Sequence, residues 1–424
     1  MIFLLAIFCF GYIAIIFENI IGVNKSATAL LTGILCWCVY IFSFSNAQNR
    51  EHNLEQLNHH LSDISGIVFF LLGAMTIVEI IDAHDGFDII TDNIKTRRKI
   101  ILLWLIGSLT FFLSAILDNL TTTIVMVSIL QKIISDKQDR LLLCGVIIIA
   151  ANAGGAWSPI GDVTTSMLWI GGQITATSII KKIFLPSLIC VLVPLIGLSF
   201  RLRGNLELND KTEKNIRNTT LFERNLVFFT GVFGLLCVPI FKSVTHLPPF
   251  MGMLMSLSLV WIITEIIHRG KNEADKEQLS VLNALRKIDT SSILFFVGIL
   301  LSVAALSSSG ILISTANNLS NYIHYPSTIA FIAGIVSSVL DNVPLVAALQ
   351  GMYTLQQFPT DHVFWLFLAY TSGTGGSLLL IGSAAGVVAM GMENISFMWY
   401  LRKIFLWALL GFLCGVCVFI TVSI

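Results

Sequence analysis

The sequence predicts an all-α polytopic membrane protein built from two inverted-topology repeats with broken helices and re-entrant hairpins. Three observations predict it. Hydrophobic residues make up 55% of the 424 residues and charged residues only 12%, with a mean hydropathy of +0.85; a soluble fold of this size has too little polar surface to cover itself. The apolar runs are long enough for helices rather than for the strands of a barrel. A set of polar and glycine motifs recurs in the same order in both halves of the chain.

Apolar segments fall near 1–20, 26–45, 64–82, 100–117, 119–134, 140–151, 163–180, 183–200, 225–242, 250–268, 290–308, 311–322, 327–340, 343–356, 361–372, 384–400 and 404–423. Met1 to Phe17 lacks a basic n-region and a small-residue cleavage site, so it reads as a retained first span. Several segments are shorter than the roughly 20 residues a bilayer needs. The short ones cluster around Asp-Asn and glycine-rich stretches, as expected of helices broken inside protein, since irregular backbone is not tolerated against lipid. The polar connectors (46–62, 83–99, 135–139, 201–224, 242–248 and 269–288) are too short for a separate soluble domain. Function must therefore reside in the membrane body.

Asp118-Asn119 recurs as Asp341-Asn342, 223 residues later. Gly154-Gly155, Gly161 and Lys182-Ile183-Phe184 recur 221 residues later as Gly375-Gly376, Gly382 and Lys403-Ile404-Phe405. Phe70 to Gly73 has a counterpart in Phe296 to Gly298. Four matches in order with a steady offset indicate duplication. Connector 83–99 carries Lys95, Arg97, Arg98 and Lys99, whereas its counterpart near 309–326 has no Lys or Arg. Connector 46–62 has only Arg50, whereas 269–288 has Arg269, Lys271, Lys276, Arg286 and Lys287. By the positive-inside rule the halves are oppositely oriented, with 83–99, 201–224 and 269–288 cytoplasmic. The chain divides into N-terminal spans outside the repeat (1–62), repeat one (63–200), a linking region with two spans (201–288) and repeat two (289–424).

The zero net charge gives no reason to expect a nucleic-acid partner. Eight cysteines lie in apolar runs without paired spacing, which argues against a disulfide framework or zinc site. No Walker, dinucleotide or heme motif is present, so no cofactor is expected and uphill movement must draw on an ion gradient.

Asp118 stands between "LTFFLSAIL" and "NLTTTIVMVSIL". A carboxylate there needs a cation, a proton or a wet cavity; the alternative is a hydrogen-bond anchor at a helix break. Asp341 repeats it. Asn119 and Thr122 offer neutral oxygens suited to a hard cation. In "NAGGAWSPIGD" Pro159 frees a carbonyl, Ser158 adds a hydroxyl and Asp162 a second acid; the competing reading makes Asp162 a cap of the helix that follows. Asn152, Asn342, Ser372 and Thr374 complete the candidate oxygen set, while the counterpart of Asp162 is the uncharged Ser383. Glu79, at the end of an apolar span, reads equally as a proton-transfer group at a cavity mouth or an interfacial cap. His84, His246 and His324, near span ends, are candidate pH sensors only by residue type.

With "LDNLTTTIVM" at 117–126, "NAGGAWSPIGDVTTSMLW" at 152–169, "LDNVPLVAA" at 340–348 and "GTGGSLLLIGSAAGV" at 373–387, the chain resembles the NhaD-type sodium/proton antiporters of the ion transporter superfamily over roughly 60–423. The resemblance implies exchange of Na+ or Li+ for H+ across the bacterial inner membrane, two hairpin elements and a homodimer. It also implies roles for Asp118, Asn119, Asp162, Asp341 and Glu79. The runner-up is a sodium-coupled dicarboxylate or anion transporter of the same superfamily. The acids and the lack of a basic group in the core spans favour cation exchange.

Overall fold

The structure is a computed structural model that describes residues 2–16, 21–43, 47–91, 96, 98–201, 204, 219–323, 325–339 and 342–423. Asp341 and His324 lie outside the described residues. Regular structure among the described residues is helical, and nine helices are long and apolar enough to cross a membrane.

Two N-terminal helices, α1 (Ile2–Ile16) and α2 (Lys25–Ser43), precede α3 (Ala47–Ala83), a helix of 37 residues. Residues 47–62, expected to be a connector, instead extend α3 because the run from Ala47 to Ser65 contains no Gly or Pro to stop it. A short α4 (Asp88–Thr91) leads to α5 (Lys99–Leu117), α6 (Asn119–Ile133), α7 (Lys137–Ala156), α8 (Val163–Ile170) and α9 (Ala176–Ser199). The gap between the apolar segments 163–180 and 183–200 lies inside a helix; the chain breaks earlier, at Gly171-Gly172, where Gly172 has φ +79°. From there α9 runs unbroken through Pro186 and Pro194. Helices α10 (Leu221–Thr245) and α11 (Pro249–Ile267) form the linking pair, followed by short α12 (Glu273–Leu279) and α13 (Val281–Lys287). The second half comprises α14 (Thr290–Ser308), α15 (Ile311–Tyr322), α16 (Pro326–Val336), α17 (Asn342–Met352), α18 (Val363–Gly375), α19 (Ala384–Glu393), α20 (Phe397–Lys403) and α21 (Phe405–Ser423).

The helix breaks coincide with the repeated motifs: α5/α6 at Asp118, α7/α8 at 157–162, α16/α17 after Val336, with a turn at 337–339, and α18/α19 at 376–383. Glycines bring these segments into backbone contact. A Cβ at Gly154 would strike the Phe111 carbonyl, and one at Gly375 the Gly334 carbonyl. One at Gly161 would crowd Ala115 Cα (2.9 Å), and one at Gly382 would crowd Ser338 Cα (2.7 Å). Ser114 Oγ donates to the Ala151 carbonyl (2.5 Å), as Ser337 Oγ donates to that of Ser372 (2.8 Å). Each pair consists of residues 221 or 223 positions apart, so duplicated sequence makes duplicated contacts.

The halves also clamp one another. Arg140, before α7 has completed its first turn, donates through Nε to Glu393 at the end of α19 (3.1 and 3.2 Å). In the related position, Thr360 Oγ1 donates to the Gly172 carbonyl (2.7 Å), and Asp361 accepts from Thr175 N (2.6 Å) and Thr175 Oγ1 (2.9 Å). Helix α21 packs on α9 through Gly411 and Gly415, one turn apart, which let it approach the Cys190 and Pro186 carbonyls. Helix α2 packs as closely on α14, where Gly33 faces the Gly298 carbonyl. All eight cysteines are free thiols.

Candidate functional site

The helix breaks meet at a small cavity of about 50 Å³ whose polar lining includes Asp118, Asn119, Asp162, Ser166, Asn342 and Lys25. Leu120, Met75 and Val78 border both this cavity and a larger one of about 260 Å³. The larger one is an acidic vestibule lined by Glu79, Asp82, Asp85, Asp88 and Asp289, with Lys287 as its cation.

Asp118 links α5 to α6 with φ 78° and ψ 162°, a conformation ordinarily reserved for glycine. Holding a branched residue there costs about 1–3 kcal/mol. Part of this is offset by capping: Oδ1 accepts from Thr121 N (2.7 Å) and Oδ2 from Thr121 Oγ1 (3.0 Å). Asp162 is 2% exposed. Its Oδ1 accepts from Thr164 N at the start of α8 (3.3 Å), while Oδ2 accepts from Asn342 Nδ2 of the other half (3.3 Å). Both acids thus cap helices, as the plainer reading of the sequence expected. Both also face a cavity, where the positive ends of helices and amide dipoles surround them. Half a turn of the Asn342 amide would replace its N–H with Oδ1, converting a donor into a cation ligand.

Asn119 Nδ2 donates to Asn152 Oδ1 (3.3 Å), and Asn152 Nδ2 donates across the repeats to Ser383 Oγ (3.0 Å). Buried amides and hydroxyls therefore join the two halves beside the acids. The Thr122 and Thr164 hydroxyls are fully buried and have no hydrogen-bond partner among the described residues. Such unsatisfied oxygens are uncommon in a packed interior, and a hard cation takes neutral oxygens of this type.

Of the residues expected from sequence, Asp118, Asn119, Asp162 and Asn342 share one cavity. Asn152 adjoins through Asn119. Thr122, Ser158, Ser372 and Thr374 are not brought to the cavity lining. The Ser158 oxygen accepts from Ile160 N (3.3 Å). Ser372 and Thr374 donate one turn back, to the Leu368 and Tyr370 carbonyls (both 2.6 Å). Glu79 lines the vestibule, 3.6 Å from Lys287 Nζ. Asp82, Asp85 and Asp88 form the vestibule wall with Asp289. The sequence did not single out Lys25, which lines the inner cavity with its ammonium 4.7 Å from the centre of the Phe295 ring. The polar run Asn24-Lys25-Ser26 between two apolar spans was the available signal.

The sequence profile of the family described as citrate transporter matches residues 12–366. Sodium/proton antiporter 1 of Arabidopsis thaliana is 49% identical over 98% of this chain and 71% of its own length. Sodium/proton antiporter 2 of the same plant is 47% identical over 98% of each. The Na(+)/H(+) antiporter NhaD of Alkalimonas amylolytica is 30% identical over 92% of this chain and 84% of its own length. The chain belongs to the NhaD-type sodium/proton antiporter family. For a member of that family the cavity offers a coherent set of hard oxygen donors: two carboxylates, two primary amides and the hydroxyls of Ser166 and Ser292.

Proposed function

We infer that this chain is a secondary antiporter that exchanges Na+ for H+, with Asp118 and Asp162 as the groups for which the two ions compete. The observation that carries the reading is the convergence of both acids, with Asn119 and Asn342, on one cavity between the broken helices. Ordering such acids inside a membrane is costly unless they handle cations or protons. Desolvation favours the neutral form of a carboxyl group, and a bound cation favours the charged form, so the same oxygens hold either a proton or Na+. Li+, equally hard, is expected to substitute for Na+. Asp341, next to Asn342, is a third candidate acid.

The two halves are inverted-topology repeats in this reading. Their support is the opposite charge bias of equivalent connectors and the duplicated contacts at Ser114/Ser337 and Gly154/Gly375. The segments flanking the breaks at 157–162 and 376–383 are the re-entrant hairpins. The vestibule includes Asp85, Asp88 and Lys287, from the two connectors assigned by charge to the cytoplasm, with Asp289 beside them, so in this reading the conformation is inward-open. We place the protein in the inner membrane of a bacterium as a homodimer, with a role in sodium and pH homeostasis. The bacterial source of the NhaD relatives favours a bacterial origin, the plant source of the relatives at 47–49% identity does not, and cell fractionation with cross-linking tests both assignments.

The test of the function is dequenching of a pH dye in everted vesicles, with Na+, Li+, K+ and citrate added separately. Proton movement with Na+ and Li+, absent with K+ and citrate, is the expected result. The carboxylate-transport reading has two observations behind it, the citrate-transporter profile and Lys25 in the cavity. It predicts citrate uptake instead. Two acids in the same small space oppose a multiply charged anion, and the named relatives at 47–49% identity are antiporters.

A further inference from the structure

We infer that cation binding is confined to one of two repeat-related half-sites, because the side chain of Asn152 occupies the other. The inference rests on the antiport reading above and concerns which residues set the number of ions bound. With the glycine motifs aligned 221 residues apart, Asn152 corresponds to Gly373 and Asp162 to Ser383.

In one half-site the Asn152 amide is fully engaged. Nδ2 donates to Ser383 Oγ (3.0 Å) and to the Ile148 carbonyl (2.8 Å), and Oδ1 accepts from Asn119 Nδ2 (3.3 Å). Every polar atom is neutral, and the donor opposite Ser383 belongs to the protein itself. In the related half-site the oxygen is a carboxylate, the counterpart of the Asn152 amide is missing, and Asn342 Nδ2 donates to Asp162 Oδ2 (3.3 Å). Gly373 has no side chain, and a Cβ built there would lie 3.5 Å from Asp162 Oδ2 and 3.0 Å from Ala156 Cβ. Asp162 and Asn342 line the inner cavity, whereas Asn152 and Ser383 do not. The half-sites thus differ in charge and in access: Asn152 saturates a neutral hydroxyl in one, and a carboxylate borders the cavity in the other. A second asymmetry points the same way. Thr164 carries a buried hydroxyl without a partner among the described residues, and its counterpart is Ala385. The Asp162 half-site thus holds the charge beside the cavity, while the Asn152 side chain fills the other.

Equilibrium binding of radioactive Na+ to the purified full chain at alkaline pH tests this. The wild type is expected to bind one ion per chain. The double variant Asn152→Gly/Ser383→Asp, which gives the second half-site the chemistry of the first, is expected to bind two. Gly373→Asn should weaken binding by at least about tenfold, since it places an amide against Asp162 where the ion sits. Gly373→Ala, which adds only a methyl group, is the fallback if the larger side chain prevents folding, and it should weaken binding in the same direction. Two ions per wild-type chain, or unchanged affinity in folded Gly373→Asn or Gly373→Ala protein, would overturn the assignment. A folded wild type that binds no Na+ but binds citrate would instead overturn the antiport reading on which it rests.

Discussion

Asp162→Asn separates a helix cap from an ion ligand because the two roles make demands of different size. As a cap, Asp162 accepts one long bond of 3.3 Å from Thr164 N, and an Asn side chain caps about as well. Its second bond, from Asn342 Nδ2, survives if the new amide presents its oxygen. The variant should therefore lose no more than about 1 kcal/mol of stability, the scale of one ordinary hydrogen bond. The ion site loses a full negative charge in a position 2% exposed, where water cannot substitute for it. Removing one member of a buried ion pair costs about 3–5 kcal/mol. At about 1.4 kcal/mol per tenfold, that is a loss of at least about 100-fold in apparent Na+ affinity. Vesicle assays over a range of Na+ concentrations give the affinity and maximal rate, and thermal unfolding of the purified variant gives stability. Wild-type affinity and turnover in a folded variant would refute the reasoning and leave Asp162 a cap.

Asp118→Gly should relieve the strained backbone at φ 78° while removing the carboxylate, so folded protein is expected to accumulate normally in membranes and to show no Na+-driven proton movement; retained exchange would remove Asp118 from the site. Apparent Na+ affinity should rise with pH, because a site carboxylate must be ionised to hold the cation; a pH-independent affinity over about three units with flux intact would contradict competition. His84 is fully buried beside α11, its Nε2 3.0 Å from that of His268, and desolvation holds its imidazole down at about 4 against an ordinary 6.5. The unfolded chain then gains a proton first as pH falls, so stability is complete above pH 6.5 and declines toward pH 4, by about 3 kcal/mol in all. Thermal melts should show that decline flattened in His84→Gln.

The membrane body, the helix breaks and most of the inner cavity were legible in the sequence. Asp118-Asn119 and Gly154-Gly155 betray themselves because a polar or flexible residue in an apolar run has few bland explanations. Other features were hidden for identifiable reasons. Ser372 and Thr374 look like ligands in a polar motif, but a helical hydroxyl can donate to the carbonyl one turn back, and only coordinates reveal that choice. Residues 47–62 read as a connector because polarity was taken for loop character; helix continuity depends on the absence of Gly and Pro, not on apolarity. Lys25 and Asp289 come from chain segments distant in sequence from the motifs. Their arrival at the cavities follows from packing of α2 on α14, which the Gly33–Gly298 contact permits.

The vestibule adds a point about charge that neither the composition nor the positive-inside rule contains. The connectors around it are rich in Lys and Arg, yet its wall is formed by five carboxylates and one lysine, Lys287, which sits near Glu79. The two charge patterns answer different physical demands. Orientation is set during insertion by counting cations in short flanking segments, wherever they later fold. Attraction of a transported ion is set in the finished protein by the charges lining the concave path. In salt of physiological strength the screening length is about 8 Å, so basic groups on the outer connectors contribute little inside a cleft. A low-dielectric wall meanwhile focuses the field of the acids that line it. A cytoplasmic face can thus be basic by count and acidic along the route to Asp118. Neutralising Asp82 and Asp85 together should therefore slow Na+ capture and flatten its salt dependence without altering the ion's affinity at Asp162. Neutralising basic residues of the outer connectors should disturb membrane orientation and leave transport by correctly inserted protein unchanged.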